Sequence, residues 1–97
     1  MRSLHSTNEM SEEIKKRIKK VLVHKLLQDF SPEDIQDDTS LIGLGVGVDS
    51  VATLEFVVAL EEEFQISIDE SEINPELLAT LSSISDYIST RIGSSSK

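Results

Sequence analysis

Ninety-seven residues form one small domain, too few for two independent cores. Eighteen acidic side chains against nine basic ones leave a net charge of −9, which opposes binding to nucleic acid or to an anionic membrane surface. The absence of cysteine removes disulfides, thiolate metal sites and a cysteine nucleophile, two histidines (His5 and His24) are too few for a histidine-rich metal site, and a sequence with no Trp and one Tyr is poorly equipped to stack on bases. No apolar run approaches the roughly 20 residues that span a bilayer, so stable membrane insertion is not expected. MRSLHSTNEM lacks the apolar core of a signal peptide, making the cytoplasm the default expectation.

Residues 1–10 show no periodicity and read as a flexible leader to a domain at 11–92, with 93–97 as a flexible tail. From Ser11, the positions Ile14, Ile18, Val21, Leu22, Leu26 and Leu27 recur at helical spacing. They predict an amphipathic helix of about 18 residues, closed by Asp29 and Ser31-Pro32. Seven of the nine bases fall in residues 1–30, whereas 31–97 holds fourteen acids against Arg91 and Lys97. The plain reading is a solvated basic face attracted to acidic neighbours. A long connection follows from Ser31 to Asp49, polar at first and then glycine-punctuated. Loops of this length in small domains tend to be functional, and Ile35, Leu41, Ile42, Leu44 and Val46 are expected to pin this one to the core.

Asp49 and Ser50 are both competent N-caps for a second helix running to about Phe64, whose interior lacks Gly and Pro. An irregular link around Ile66 and Ile68 leads to Asn74-Pro75, which predicts a short helical turn, PELLAT. Thr80 caps a last helix carrying Leu81, Ile84, Ile88 and Ile92 with Tyr87 beside them, stopped at Gly93. No segment alternates like a strand. The expected fold is an all-α four-helix bundle, three main helices and one short one, with a long first loop.

On a helical wheel, Phe56, Val57, Leu60 and Phe64 form the core stripe of the second helix. Val51, Leu54 and Val58 lie opposite, interleaved with Glu55 and Glu62. Such a face suits a basic, partly apolar partner, unless Leu54 and Val58 pack under the long loop. A phosphate ester on Ser50 would sit at the positive end of the helix, although Ser50 also reads as a simple cap. GLGVG lacks the preceding strand and the Lys of a phosphate-binding loop. Asp34, Asp37 and Asp38 lack the spacing of a calcium loop, and no metal ligand set is expected.

Gly47-Val48-Asp49-Ser50-Val51, continuing through Leu54-Glu55-Phe56 to Ala59-Leu60-Glu61-Glu62-Glu63-Phe64, resembles the acyl carrier protein signature: a Gly-x-Asp-Ser-Leu box and a helix ending Leu-Glu-Glu-Glu-Phe. The resemblance extends over most of the chain. It implies a non-enzymatic monomeric carrier with 4′-phosphopantetheine covalently on Ser50, installed from coenzyme A by a phosphopantetheinyl transferase that supplies its own Mg²⁺ site. Acyl groups would ride on the arm as thioesters. Asp49 would assist transferase docking, and Val51, Leu54, Glu55, Val58 and Glu62 would meet basic patches on acyl-loading and acyl-processing enzymes. Phe56, Leu60 and Ile84 would line a cargo cavity as well as the core. Ala52 stands where many fatty-acid carriers have an acid, and Val51 where they have Leu. LIGLGVG is about one residue longer than the family's usual loop. These departures favour a specialised lipid, polyketide or peptide pathway over housekeeping fatty acid biosynthesis. The competing readings are a helical adaptor without a prosthetic group and, less well supported, a small serine enzyme. The latter lacks a nearby His, since His24 sits on the first helix.

Overall fold

A computed structural model describes residues 2–95, with side chains described for residues 12–92. Met1, Ser96 and Lys97, part of the expected leader and tail, lie outside the described residues. Three helices make the frame: α1 (Arg2–Lys25), α2 (Ser50–Phe64) and α3 (Leu81–Ser95). Short 3-10 turns occupy Pro32–Asp34 and Glu70–Glu72, and no strand occurs among the described residues. No helix of the described residues is long and apolar enough to cross a membrane.

The predicted apolar stripe of α1 is buried at Ile14, Ile18, Leu22 and Leu27, against Phe56, Val57 and Leu60 of α2 and Leu81, Ile84 and Ile88 of α3 in one core. Both ends of α1 differ from expectation. Its helical backbone reaches back to Arg2, through residues without an apolar stripe, and it stops at Lys25. The amides of Leu26 and Leu27 both donate to the Leu22 carbonyl (2.8 and 2.9 Å), closing the helix before Asp29 or Pro32 can act.

The long connection is fastened at Ile35, Leu41 and Val46, all fully buried, with Leu44 half-buried. Ile42 departs from expectation and stays 44 % exposed. Backbone bonds from Leu41 N to Ala79 O (2.9 Å) and from Ser82 N to Asp37 O (3.1 Å) stitch this loop to the entrance of α3. The expected PELLAT helix is only a hydrogen-bonded turn. Asn74 does cap it, accepting from Leu77 N at 2.8 Å, but a single α-type bond from Leu78 N to Asn74 O follows and the chain turns away. Thr80 caps α3 as expected, its hydroxyl accepting from Ser83 N (3.1 Å) while Ser83 Oγ accepts from Thr80 N (3.1 Å). Gly93 does not stop that helix, which continues to Ser95.

The basic face of α1 is partly neutralised by its neighbours. Lys15 pairs with Asp37 at 2.7 Å. Arg17 pairs with Glu63 at 2.7 Å, donates to the Glu63 carbonyl at 2.6 Å and lies over the Phe64 ring at 4.4 Å. One arginine thus ties α1 to the last turn of α2.

Candidate functional site: the head of α2 and its exposed face

The loop before α2 winds through consecutive turns. Leu44 N donates to Leu41 O, Gly45 N to Ile42 O, and Val48 N to Gly45 O, all at 3.0–3.1 Å. Gly45 (φ 111°) and Gly47 (φ 94°) occupy backbone conformations that side chains resist, which is why the run is glycine-punctuated. Gly47 N donates to the buried Thr53 Oγ1 at 3.0 Å. That bond clips the loop to the first turn of α2 and sets the approach of Asp49 and Ser50.

Asp49 is the N-cap of α2. Its Oδ1 accepts from Val51 N (3.0 Å) and Ala52 N (3.1 Å), satisfying two otherwise unpaired amides. Ser50 is therefore the first helical residue rather than the cap, which corrects its alternative reading as a capping serine. Its side chain is exposed, and its hydroxyl makes no hydrogen bond with a described residue. The hydroxyl sits at the positive end of the helix beside a carboxylate already engaged with the backbone. It is left free to be modified without loss of a structural contact.

A groove of about 580 Å³ opens beside Ser50, walled by Ile42 and Val46 from the loop, Leu54 from α2, and Ile73, Pro75 and Leu78 from the turn before α3. Phe56, Leu60 and Ile84, expected in the core and as lining of a cargo cavity, are buried in the core and lie outside the lining of this groove. Sequence reasoning missed Val48, which is 80 % exposed, and the wall at Ile73, Pro75 and Leu78. The signal for Val48 was its position between Gly47 and Asp49 at the loop apex. The wall arises from tertiary packing of three segments and carries no local signature.

The exposed face of α2 forms as the wheel indicates. Val51 (67 %), Val58 (50 %) and Leu54 (44 %) remain in solvent, so the loop does not cover Leu54 and Val58. With Glu55 and Glu62 they line a second, shallow groove whose far edge is Lys25 of α1. His24 is exposed and lines an adjoining groove with Lys20, Ala59 and Glu63, whose lining does not include Ser50. No group of His, Cys, Asp or Glu among the described residues is arranged to hold a metal ion.

On α3, Tyr87 Oη donates to Glu72 Oε1, and Arg91 lies 3.6 Å from the same carboxylate. Burial, then the bond to Glu72, pushes the Tyr87 hydroxyl pKa up to about 12. Arg91 also donates to the Ser67 carbonyl at 2.7 Å, so α3 holds the Ile66–Ile73 link that leads into the groove wall.

A small helical bundle presenting an unengaged serine at a helix head, between a glycine loop and an apolar groove, has the architecture of a carrier domain. The family model for the phosphopantetheine attachment site matches residues 12–88, the whole packed core included, and the chain belongs to that family. Domains of this family are sites of covalent 4′-phosphopantetheine attachment and interact with phosphopantetheinyl transferases and acyl-processing enzymes.

Proposed function

We propose that Ser50 is the attachment residue and that the chain is an acyl carrier with no catalytic chemistry of its own. The observation that carries this reading is the Ser50 hydroxyl, exposed and unbonded at the first position of α2, while Asp49 alone caps the helix. When attached, the phosphopantetheine arm supplies a terminal thiol on which acyl groups are held as thioesters, a nucleophile this Cys-free chain lacks. Asp49 keeps the helix head rigid and offers a carboxylate for transferase docking. The Gly47–Thr53 bond holds the loop so that Ser50 stays at the surface.

Val51, Leu54, Glu55, Val58 and Glu62 form the face that docks to enzymes, giving salt-sensitive encounters steered by charge. Cargo first meets the groove at Ile42, Val46, Leu54 and Leu78. Entry among Phe56, Leu60 and Ile84 requires displacing close-packed side chains, so those three respond only to cargo that penetrates further. The pathway we favour is a specialised lipid, polyketide or peptide one, on the strength of Ala52, the smaller Val51 and the extended LIGLGVG loop. A serine-hydrolase role has no support, because the exposed His24 lines a groove that does not include Ser50.

Incubation with coenzyme A, Mg²⁺ and a promiscuous phosphopantetheinyl transferase, followed by intact mass, tests the reading. One phosphopantetheine is gained by the wild-type chain and none by Ser50→Ala. A folded wild-type chain that gains nothing refutes it for that transferase and shifts the balance to the helical adaptor.

A further inference from the structure

Two grooves run side by side over the exposed surface of α2 and share Lys25, Ala59 and Glu62. One holds Val51, Leu54 and Val58 with Glu55; the other is edged by Lys20, His24 and Glu63. The small Ala59 floors their junction, so the end of α1 and the face of α2 form one continuous surface. Its charges are sorted. Carboxylates lie along α2, and amines lie along the end of α1.

Lys20 and Lys25 are not in an ion pair with any described residue, although the chain carries nine excess negative charges and Glu62 shares both grooves with Lys25. Lys15 and Arg17, in contrast, are consumed by Asp37 and Glu63. An apolar strip with opposite charges on its two edges complements a surface with the reverse order. A uniformly basic patch gains at Glu55 and Glu62 but meets like charge at Lys20 and Lys25.

We propose that the docking surface of this carrier is bipolar, extending from α2 onto the end of α1, and selects protein partners presenting an apolar side chain flanked by Lys/Arg on the α2 side and Asp/Glu on the α1 side. The proposal deepens the docking reading of the α2 face and rests on it. Lys20 and Lys25 then act as selectivity residues, rejecting enzymes whose carrier-binding patch is basic throughout. His24 lies between them on the same rim.

The test uses two amphipathic helical peptides of equal length and identical apolar face, one with Lys on both edges and one with Lys on one edge and Glu on the other. Each is titrated into the ¹⁵N-labelled full chain, with affinity read from amide shifts. Both peptides shift amides in residues 51–62, and the mixed-edge peptide also shifts 20–25 and binds more tightly. Exposed charge contacts of this kind give roughly a two- to fivefold preference per opposed charge. The preference reverses in Lys20→Glu/Lys25→Glu, whose fold is checked by circular dichroism, and fades in high salt. Tighter binding of the all-Lys peptide to the wild-type chain, or a preference unchanged by the double substitution, overturns the bipolar surface while leaving α2 docking intact. Failure of both peptides to shift residues 51–62 overturns the docking reading itself.

Discussion

Asp49 accepts the amides of Val51 and Ala52, while the neighbouring Ser50 hydroxyl bonds no described residue. Adjacent residues thus divide the helix cap from the residue proposed to be modified. Asp49→Ala is expected to lower unfolding free energy by about 1 kcal/mol, the usual cost of losing a cap. Ser50→Ala is expected to stay within about 0.5 kcal/mol of wild type, as surface substitutions away from structural contacts do. Urea unfolding of the two variants checks both values, and a Ser50→Ala loss as large as that of Asp49→Ala contradicts the division. At Gly47 the backbone decides. Its φ of 94° is strained for any side chain although a Cβ there meets nothing within 4 Å. Gly47→Ala should therefore cost about 1–2 kcal/mol through conformation alone. The Asp49-Ser50 pair was visible in the sequence as a helix start, but which of the two caps depends on side-chain geometry that residue types do not specify.

Among the elements, α2 was the most legible because a capping Asp after glycines opens it and its interior lacks Gly and Pro, whereas its end shows only in the structure, where Gln65, a residue type that signals no stop, turns left-handed just past Phe64. The first part of α1 was not legible. Residues 2–10 hold no apolar stripe, and periodicity detects only helices that bury a face. PELLAT misled because Asn-Pro starts a helix locally, whereas the chain must turn there to bury Leu78 and deliver Leu81 to the core. Ile18, fully buried where α1 meets the core, should lose about 2–5 kcal/mol on substitution by Ala.

The contact between α3 and the Ile66–Ile73 link has a pH signature. The Tyr87 hydroxyl has its pKa raised from 10.0 to about 12, so the fold favours the protonated form. That contribution is fully present below pH 10 and is lost as pH rises through 12. Lys15 acts in the same direction: its bond to Asp37 raises its pKa from the ordinary 10.5, and its contribution disappears above that value. Thermal midpoints should consequently fall between pH 10 and 12, and less steeply in Tyr87→Phe. Equal slopes for the variant and the wild-type chain would remove Tyr87 from the account.

At the scale of the whole molecule, the charge imbalance visible in the sequence becomes an arrangement. Lys15 and Arg17 neutralise neighbouring acids, Lys20 and Lys25 remain along one edge of α2, and Glu55 and Glu62 remain exposed on its face. Nine excess negative charges repel one another, so the melting midpoint should rise between low and moderate ionic strength; an unchanged midpoint contradicts that expectation. The groove beside Ser50 belongs to this scale as well. Ile42, Leu54, Ile73 and Leu78 come from three separate segments, and only packing brings them together.

Attachment of the phosphopantetheine arm at Ser50 is read most directly by fragment-ion mapping of the full chain after transferase treatment with coenzyme A and Mg²⁺. One phosphopantetheine, localised to Ser50, is expected, together with an unmodified but folded Ser50→Ala chain. Modification at another residue, or a Ser50→Ala chain that still gains the group, contradicts attachment at Ser50.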